Sequence, residues 1–175
     1  MESASRWWPI LSSATAERAA VEAAKQAGFV VEVDNRCDDW DYARAADHLL
    51  ARVRELHQAS QRVCVVSAGE VTVKVGAGSG TGGRNQQFAL YCATKIAGES
   101  ITVLSAGTDG IDGNSAAAGA IADGTTLART KERGLDAERA LARFDAAPLF
   151  EALGDAVVTG PTGTNVRDVR MIVAW

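Results

Sequence analysis

Only three cysteines and two histidines occur among the 175 residues, and lysine and arginine nowhere gather into a cluster. Each scarcity removes a class of chemistry. Cys37, Cys64 and Cys92 are odd in number and widely spaced, and two lie inside apolar runs, so they read as reduced core thiols and not as a disulfide framework. His48 and His57 stand nine positions apart on one predicted helix, which misses the four-residue spacing of a paired metal-ligand face. A net charge of -4 without a basic patch excludes the surface that neutralises a nucleic-acid backbone. No apolar run reaches the roughly 20 residues of a membrane span, and the first dozen residues lack a basic region followed by an apolar core. Fixed-period repeats and low-complexity tracts are missing too, which sets solenoids and linkers aside. A cytoplasmic chain is expected, with neither nucleic acid nor membrane as partner.

What is present is ordinary globular material, 47% hydrophobic and 23% charged, long enough for one compact domain with a sizeable core. Ser12 or Ser13 can cap a helix whose alanines at 16, 19, 20, 23, 24 and 27 make a small-residue face, and Gly28 stops it. Phe29 to Val33 reads as a strand. Apolar residues at 42, 46, 49, 50, 53 and 56 give a second helix to about Ala59, with Asp41 or Asp39 as cap. Val63–Ser67 and Val71–Val75 read as two strands in a tight, antiparallel pair. Further along, the pattern predicts a helix over 88–96, a strand over 101–105, helical material through Arg133 and again over 136–153, and strands over 156–159 and 169–173. Alternating strands and helices predict an α/β fold, a mixed sheet with helices on both faces in a three-layer sandwich. The whole of 1–175 is expected as one α/β domain, with 1–40 as a preceding helix and strand segment. Trp7, Trp8 and Trp40 sit in segments too short to bury them locally, which suggests a surface that meets another domain.

Three loops concentrate glycine, hydroxyl and charged residues, and each follows a predicted strand, where open α/β sheets place ligands. The first runs from Gly76 to Gln86, with five glycines in eight positions ending at Arg84 on a helix start. Such a loop lets backbone N–H groups approach an anion, and Arg84 offers a planar fork for phosphate or carboxylate. Gly78, Gly80 and Gly83 satisfy the dinucleotide pattern G-x-G-x-x-G, which raises a reductase as an alternative, but the acidic residue due at the end of the next strand is missing. No lysine follows the glycines, so a Walker loop fails. The second loop, Ser105 to Ser115, places Asp109 and Asp112 three apart among glycines, able to hold magnesium through water or orient a hydroxyl. The third, Thr159 to Asn165, combines hydroxyls and an amide between glycines and a proline.

Four runs, Ser67-Ala68-Gly69-Glu70-Val71-Thr72-Val73, Gly80-Thr81-Gly82-Gly83-Arg84-Asn85-Gln86, Gly107-Thr108-Asp109-Gly110-Ile111-Asp112-Gly113 and Thr159-Gly160-Pro161-Thr162-Gly163-Thr164-Asn165-Val166, resemble in content and order the C-terminal domain, often called the MOFRL domain, of class II glycerate kinases. The resemblance extends back through Asp39-Trp40-Asp41 to about Leu11. It implies transfer of the ATP γ-phosphoryl group, with Mg2+, to the 2-hydroxyl of D-glycerate, in a cleft shared with a larger N-terminal domain that is absent here and supplies a lysine. It also implies Arg84 and Asp109 as catalytic residues. Gly80, Gly82, Gly83, Asn85, Thr108, Gly110, Thr162, Thr164 and Asn165 would bind substrate or phosphate, and Glu70 and Asp112 would support the polar site. Metal ligands are left unassigned, as are the division of the loops between ATP and glycerate and the question of a homo-oligomer. Ala68 stands where many relatives carry glycine, and Ala116 where some carry aspartate. The family has also borne the label hydroxypyruvate reductase, so an NAD(P)H-dependent reductase is the second reading and a non-catalytic binding module the third.

Overall fold

The computed structural model describes residue 8, residues 10–74, residue 76 and residues 79–175. Its helices are α1 (Ser13–Gln26), α2 (Tyr42–Ala59), α3 (Arg84–Lys95), α4 (Thr126–Glu132), α5 (Ala137–Ala142) and α6 (Ala146–Leu153), and its strands β1 (Val30–Val33), β2 (Val63–Ala68), β3 (Ile101–Gly107), β4 (Gly119–Asp123), β5 (Ala156–Val157) and β6 (Asp168–Ala174). The six strands form one sheet in the order β1-β2-β6-β3-β4-β5. β1 and β2 are parallel, and every other neighbouring pair is antiparallel. The mixed sheet with helices on both faces, expected from the sequence, is what forms.

Side chains alternate across the strands and so sort themselves between two cores. On one face, Ala20, Val21 and Ala24 of α1 pack on Cys64, Val66, Met171 and Val173. Of the predicted alanine face, Ala19, Ala23 and Ala27 stay exposed. On the other face, Leu49, Leu50 and Val53 of α2 join Phe88 and Cys92 of α3 and Ile96 just beyond it against Val63, Val65, Val103 and Ile172. Each such aliphatic side chain removed from water contributes about 1.5–3 kcal/mol. Asp41 starts α2 by accepting hydrogen bonds from the Ala43 and Arg44 amides. The three cysteines are free and buried.

Several expectations are corrected. Val71–Val73 is not a strand paired with β2, because β1 and β6 already occupy both edges of β2. Thr72 instead makes a single parallel bridge to Asp41, and Val75 lies outside the described residues. Within the stretch predicted as helical up to Arg133, Gly119–Asp123 forms β4, which has one β-branched residue and whose alanines 120 and 122 let α3 and α6 pack closely. The stretch 136–153 breaks into α5 and α6 at Phe144, where φ is +52°. Trp8 is exposed, Trp40 is half-buried with the Arg44 guanidinium 3.7 Å from its ring centroid, and Trp7 lies outside the described residues.

At the end of β1 the Asp34 carboxylate is buried, takes three hydrogen bonds from Arg36 through its backbone N, Nε and Nη2, and lies 2.8 Å from His48 Nε2 on α2. The Arg36 guanidinium holds its pKa far below the ordinary carboxylate range, against the opposing effect of burial.

Two outcomes are expected. A β-carbon on Gly119 would overlap the Ser105 carbonyl across the β3–β4 ladder, so Gly119→Ala should cost about 1–3 kcal/mol in urea denaturation, and an unchanged midpoint would contradict the tight pairing. Because the folded Asp34 pKa lies far below the ordinary aspartate value of about 3.8, its stabilisation is complete above that value and drains away as pH falls below it. The urea midpoint of the wild type should therefore drop more between pH 6 and pH 3 than that of Asp34→Asn, and equal drops would exclude this carboxylate as a contributor.

Candidate active site

The carboxyl ends of β1, β2, β3 and β5, the start of β6 and the amino end of α3 meet at one edge of the sheet. There a cleft of about 640 Å³ opens between the first loop and the second, with Asp39, Glu70, Arg84, Asp109, Asp112 and Phe144 among its lining residues. Gly80, Gly82 and Gly83 line it as well. Gly78 lies outside the described residues.

The first loop is clamped by the chain's own acceptors. The amide of Gly80 donates to the Arg143 carbonyl at 2.9 Å, that of Thr81 to Asp145 Oδ1 at 2.7 Å, and that of Gly82 to Asn114 Oδ1 at 2.8 Å. The amino end of α3, where the sequence suggested a substrate anion, receives Asp112. Its Oδ1 accepts from the Asn85 amide at 3.0 Å and its Oδ2 from the Gln86 amide at 2.8 Å, so a side chain from another loop satisfies two of the helix's orphan donors. Burial raises the Asp112 pKa, and these amide bonds oppose the rise.

Arg84 heads α3 with a half-exposed side chain. Its fork is already engaged: Nε donates to Asp168 Oδ2 at 2.6 Å, Nη2 to Asp168 Oδ1 at 3.3 Å, and Nη2 also lies 3.1 Å from Glu70 Oε1. The Asp168 hydrogen bond raises the Arg84 pKa further. Asp109 is half-buried, accepting from the Ile111 amide at 3.2 Å and, weakly, from Asn165 Nδ2 at 3.4 Å.

The remaining predicted residues stand behind this wall. Asn85 is buried, its Oδ1 accepting from Ser105 Oγ at 2.7 Å. Thr108 donates through Oγ1 to the Arg167 carbonyl at 2.7 Å, and the buried Gly110 packs against Gly160. Thr162 donates to the Thr108 carbonyl at 2.6 Å and Thr164 closes the same turn. Thr162, Thr164 and Asn165 therefore brace the second loop from outside, and none of them lines the cleft.

Sequence reasoning passed over Asp168, Asp38, Arg167 and Asn114. Asp38 accepts both Arg167 Nη1 and Nη2 at 2.7 Å and the Glu70 amide at 2.9 Å, tying three loops together. One signal for Asp168 was available: Asp168, Arg170, Ile172 and Ala174 share one side of an alternating strand, so two charged residues continue an apolar face inward.

Fold and site together define an α/β domain with a loop-built polar cleft at the strand ends. Residues 63–168, more than half of the chain, match the MOFRL family model, and the chain belongs to that family. It is 38% identical over 152 residues to a D-glycerate 2-kinase of Thermotoga maritima, covering 83% of this chain and 36% of that protein. It is 44% identical over 127 residues to an Agrobacterium vitis protein provisionally named a hydroxypyruvate reductase, covering 71% of this chain and 29% of that one. The crystal structure of glycerate kinase from Thermotoga maritima superposes with a TM-score of 0.86 at 32% identity, over 94% of this chain and 41% of that chain. The chain thus spans between about a quarter and two fifths of the length of such relatives.

A β-carbon on Gly83 would overlap the Asp112 carboxylate. Gly83→Ala should expel that carboxylate and destabilise the fold by about 1–3 kcal/mol, the usual cost of leaving helix-end donors and a buried acceptor unpaired. Thermal melts check this, and a melting temperature within a degree of wild type would show that Asp112 is not needed at the α3 start.

Proposed function

We propose that this chain is the C-terminal part of an ATP-dependent kinase that phosphorylates the 2-hydroxyl of D-glycerate to give 2-phosphoglycerate, working in the cytoplasm. The observation that carries the reading is the convergence of Glu70, the 80–84 loop and the 109–112 turn on one cleft, in a member of a family whose relatives are named glycerate kinases. In this reading residues 1–175 act as one domain forming one wall of the site, and a partner N-terminal domain forms the other. Arg84 contacts an anionic oxygen of the nucleotide or of glycerate, and Asp109 orients the acceptor hydroxyl. Glu70 and Asp112 hold these groups in place.

Among the described residues no three His, Cys, Asp or Glu side chains converge as a metal cage. A magnesium ion carried by nucleotide phosphates needs only one or two protein carboxylates, and Asp109 and Asp39 offer them along the cleft. Such an ion neutralises charge on the transferring group. The reductase reading is less well supported. The helix end that a dinucleotide pyrophosphate would need is filled by the Asp112 carboxylate.

Among the described lining residues Arg84 is the one cation, set against Asp39, Glu70, Asp109 and Asp112. Phosphoryl transfer depends on several positive groups around the phosphates, so the 175-residue chain alone should release ADP from ATP and D-glycerate at background rate. Joined to the N-terminal part of its Thermotoga maritima relative, it should give glycerate-dependent ADP release in a coupled assay. Hydroxypyruvate-dependent NADPH oxidation by the same assembly, without ADP release, would replace the kinase reading with the reductase.

A further inference from the structure

Arg84 is the one cation among the cleft's described lining residues, yet its orientation is set by Asp168, which lies outside that lining. The Asp168 side chain is 2% exposed, and its two oxygens grip the Nε and Nη2 edge of Arg84 at 2.6 and 3.3 Å. Glu70 takes Nη2 from the other side at 3.1 Å. Nη1 is the guanidinium nitrogen left without an acceptor among the described residues. We infer that Asp168 is the positioning residue that fixes Arg84 so that it meets its ligand end-on through Nη1, an inference that rests on the kinase reading. A single anionic oxygen, from a phosphoryl group or a carboxylate, suits that presentation, and a side-on bidentate grip does not.

The fold holds Asp168 firmly enough for this task. It begins β6, which is hydrogen-bonded to β2 on one side and β3 on the other, and its backbone carbonyl accepts from the Gly69 amide at 3.1 Å. Across the ladder it faces Gly107, which adds no side chain against the carboxylate. Two residues further along the same side lies the buried Arg170, anchored by its Nη2 to the Gly69 carbonyl at 2.8 Å. Arg84 enters from a helix and Asp168 from the central sheet, so the pair also fixes where α3 begins relative to the strand ends.

A merely structural salt bridge and a positioning residue differ in measurable ways. In the assembled enzyme, Asp168→Asn should lower kcat/KM for D-glycerate by about tenfold to a hundredfold, the usual loss when a contact is displaced by about an ångström. Arg84→Lys, which keeps the charge and loses the grip, should lose a similar factor. The double variant should be no worse than about twofold below the weaker single variant, because both substitutions break one unit. Losses that multiply in the double variant, or Asp168→Asn within twofold of wild type, overturn the inference. A wild-type assembly without glycerate-dependent turnover is a different failure and overturns the kinase reading itself. Folding is checked independently on the 175-residue chain by NMR. The Arg84 Nε–H resonance should exchange slowly in wild type and rapidly in Asp168→Asn, with the backbone amide spectrum retained. Rapid exchange already in the wild type shows that the grip does not exist and overturns the inference.

Discussion

The site depends on one buried contact, the Asp112 carboxylate on the first turn of α3. An aspartate at this depth costs free energy unless its oxygens are filled, and the Asn85 and Gln86 amides together with Asn85 Nδ2 fill them. The contact also fixes geometry. It brings the second loop against the first so that Asn114 reaches the Gly82 amide, and it sets the start of the helix on which Arg84 is the first residue. Gly83 makes the approach possible, since a side chain there would stand where the carboxylate lies. Gly80, Gly82 and Gly83 thus serve chiefly to let protein groups interlock. That is a different use of glycine from cradling a ligand with free amides.

Around this interlock the backbone carries strain where the loops meet. Asp39, Phe144 and Arg167 adopt left-handed φ of 61°, 52° and 74°, values that cost a non-glycine residue free energy unless its surroundings enforce them. Asp39 and Phe144 line the cleft, and Arg167 grips Asp38, the neighbour of Asp39. Burial pushes the Asp38 pKa up, and the Glu70 amide and the Arg167 guanidinium more than reverse it, leaving the carboxylate below its ordinary range. Segments 129 residues apart in sequence are therefore held by a doubly bonded ion pair next to Asp39 of the cleft.

Most of the fold was legible because its elements follow simple periodicities. α2 shows its apolar stripe and its Asp41 cap, and β3 and β6 show dense β-branched residues. β4 was hidden because an inner strand covered closely by helices favours small residues, and alanine and glycine carry no strand signal. The antiparallel pairing of β2 was misread because its antiparallel partner, β6, pairs Val63 with Ala174, far beyond the reach of any local pattern. The loops were found because glycine and aspartate cluster in them. Which residues face the cleft was not, since Asn85 and Thr108 sit in the same motifs as Arg84 and Asp109 but point to Ser105 and Arg167. Motif membership marks a loop, whereas side-chain direction depends on contacts between loops.

Those contacts also decide the electrostatic character of the wall. Among the described residues four carboxylates line the cleft against one guanidinium, and that guanidinium is already bonded to Asp168 and Glu70. At an effective dielectric of about 20, unit charges 4 Å apart interact by about 4 kcal/mol, so an added anion close to this wall meets repulsion of that order from each unpaired carboxylate. Glu70 is paired with Arg84, Asp112 with the α3 amides, and Asp39 lies 3.8 Å from Arg167, so among the described residues Asp109 is the lining carboxylate that would meet such an anion with no cation beside it. An anion placed beside Asp109 is therefore favoured when it arrives with compensating positive charge, from a bound cation or from an opposing protein surface. The same arrangement then favours ligands by their charge state as well as their shape, because a neutral or cation-shielded group avoids the repulsion that a bare polyanion meets.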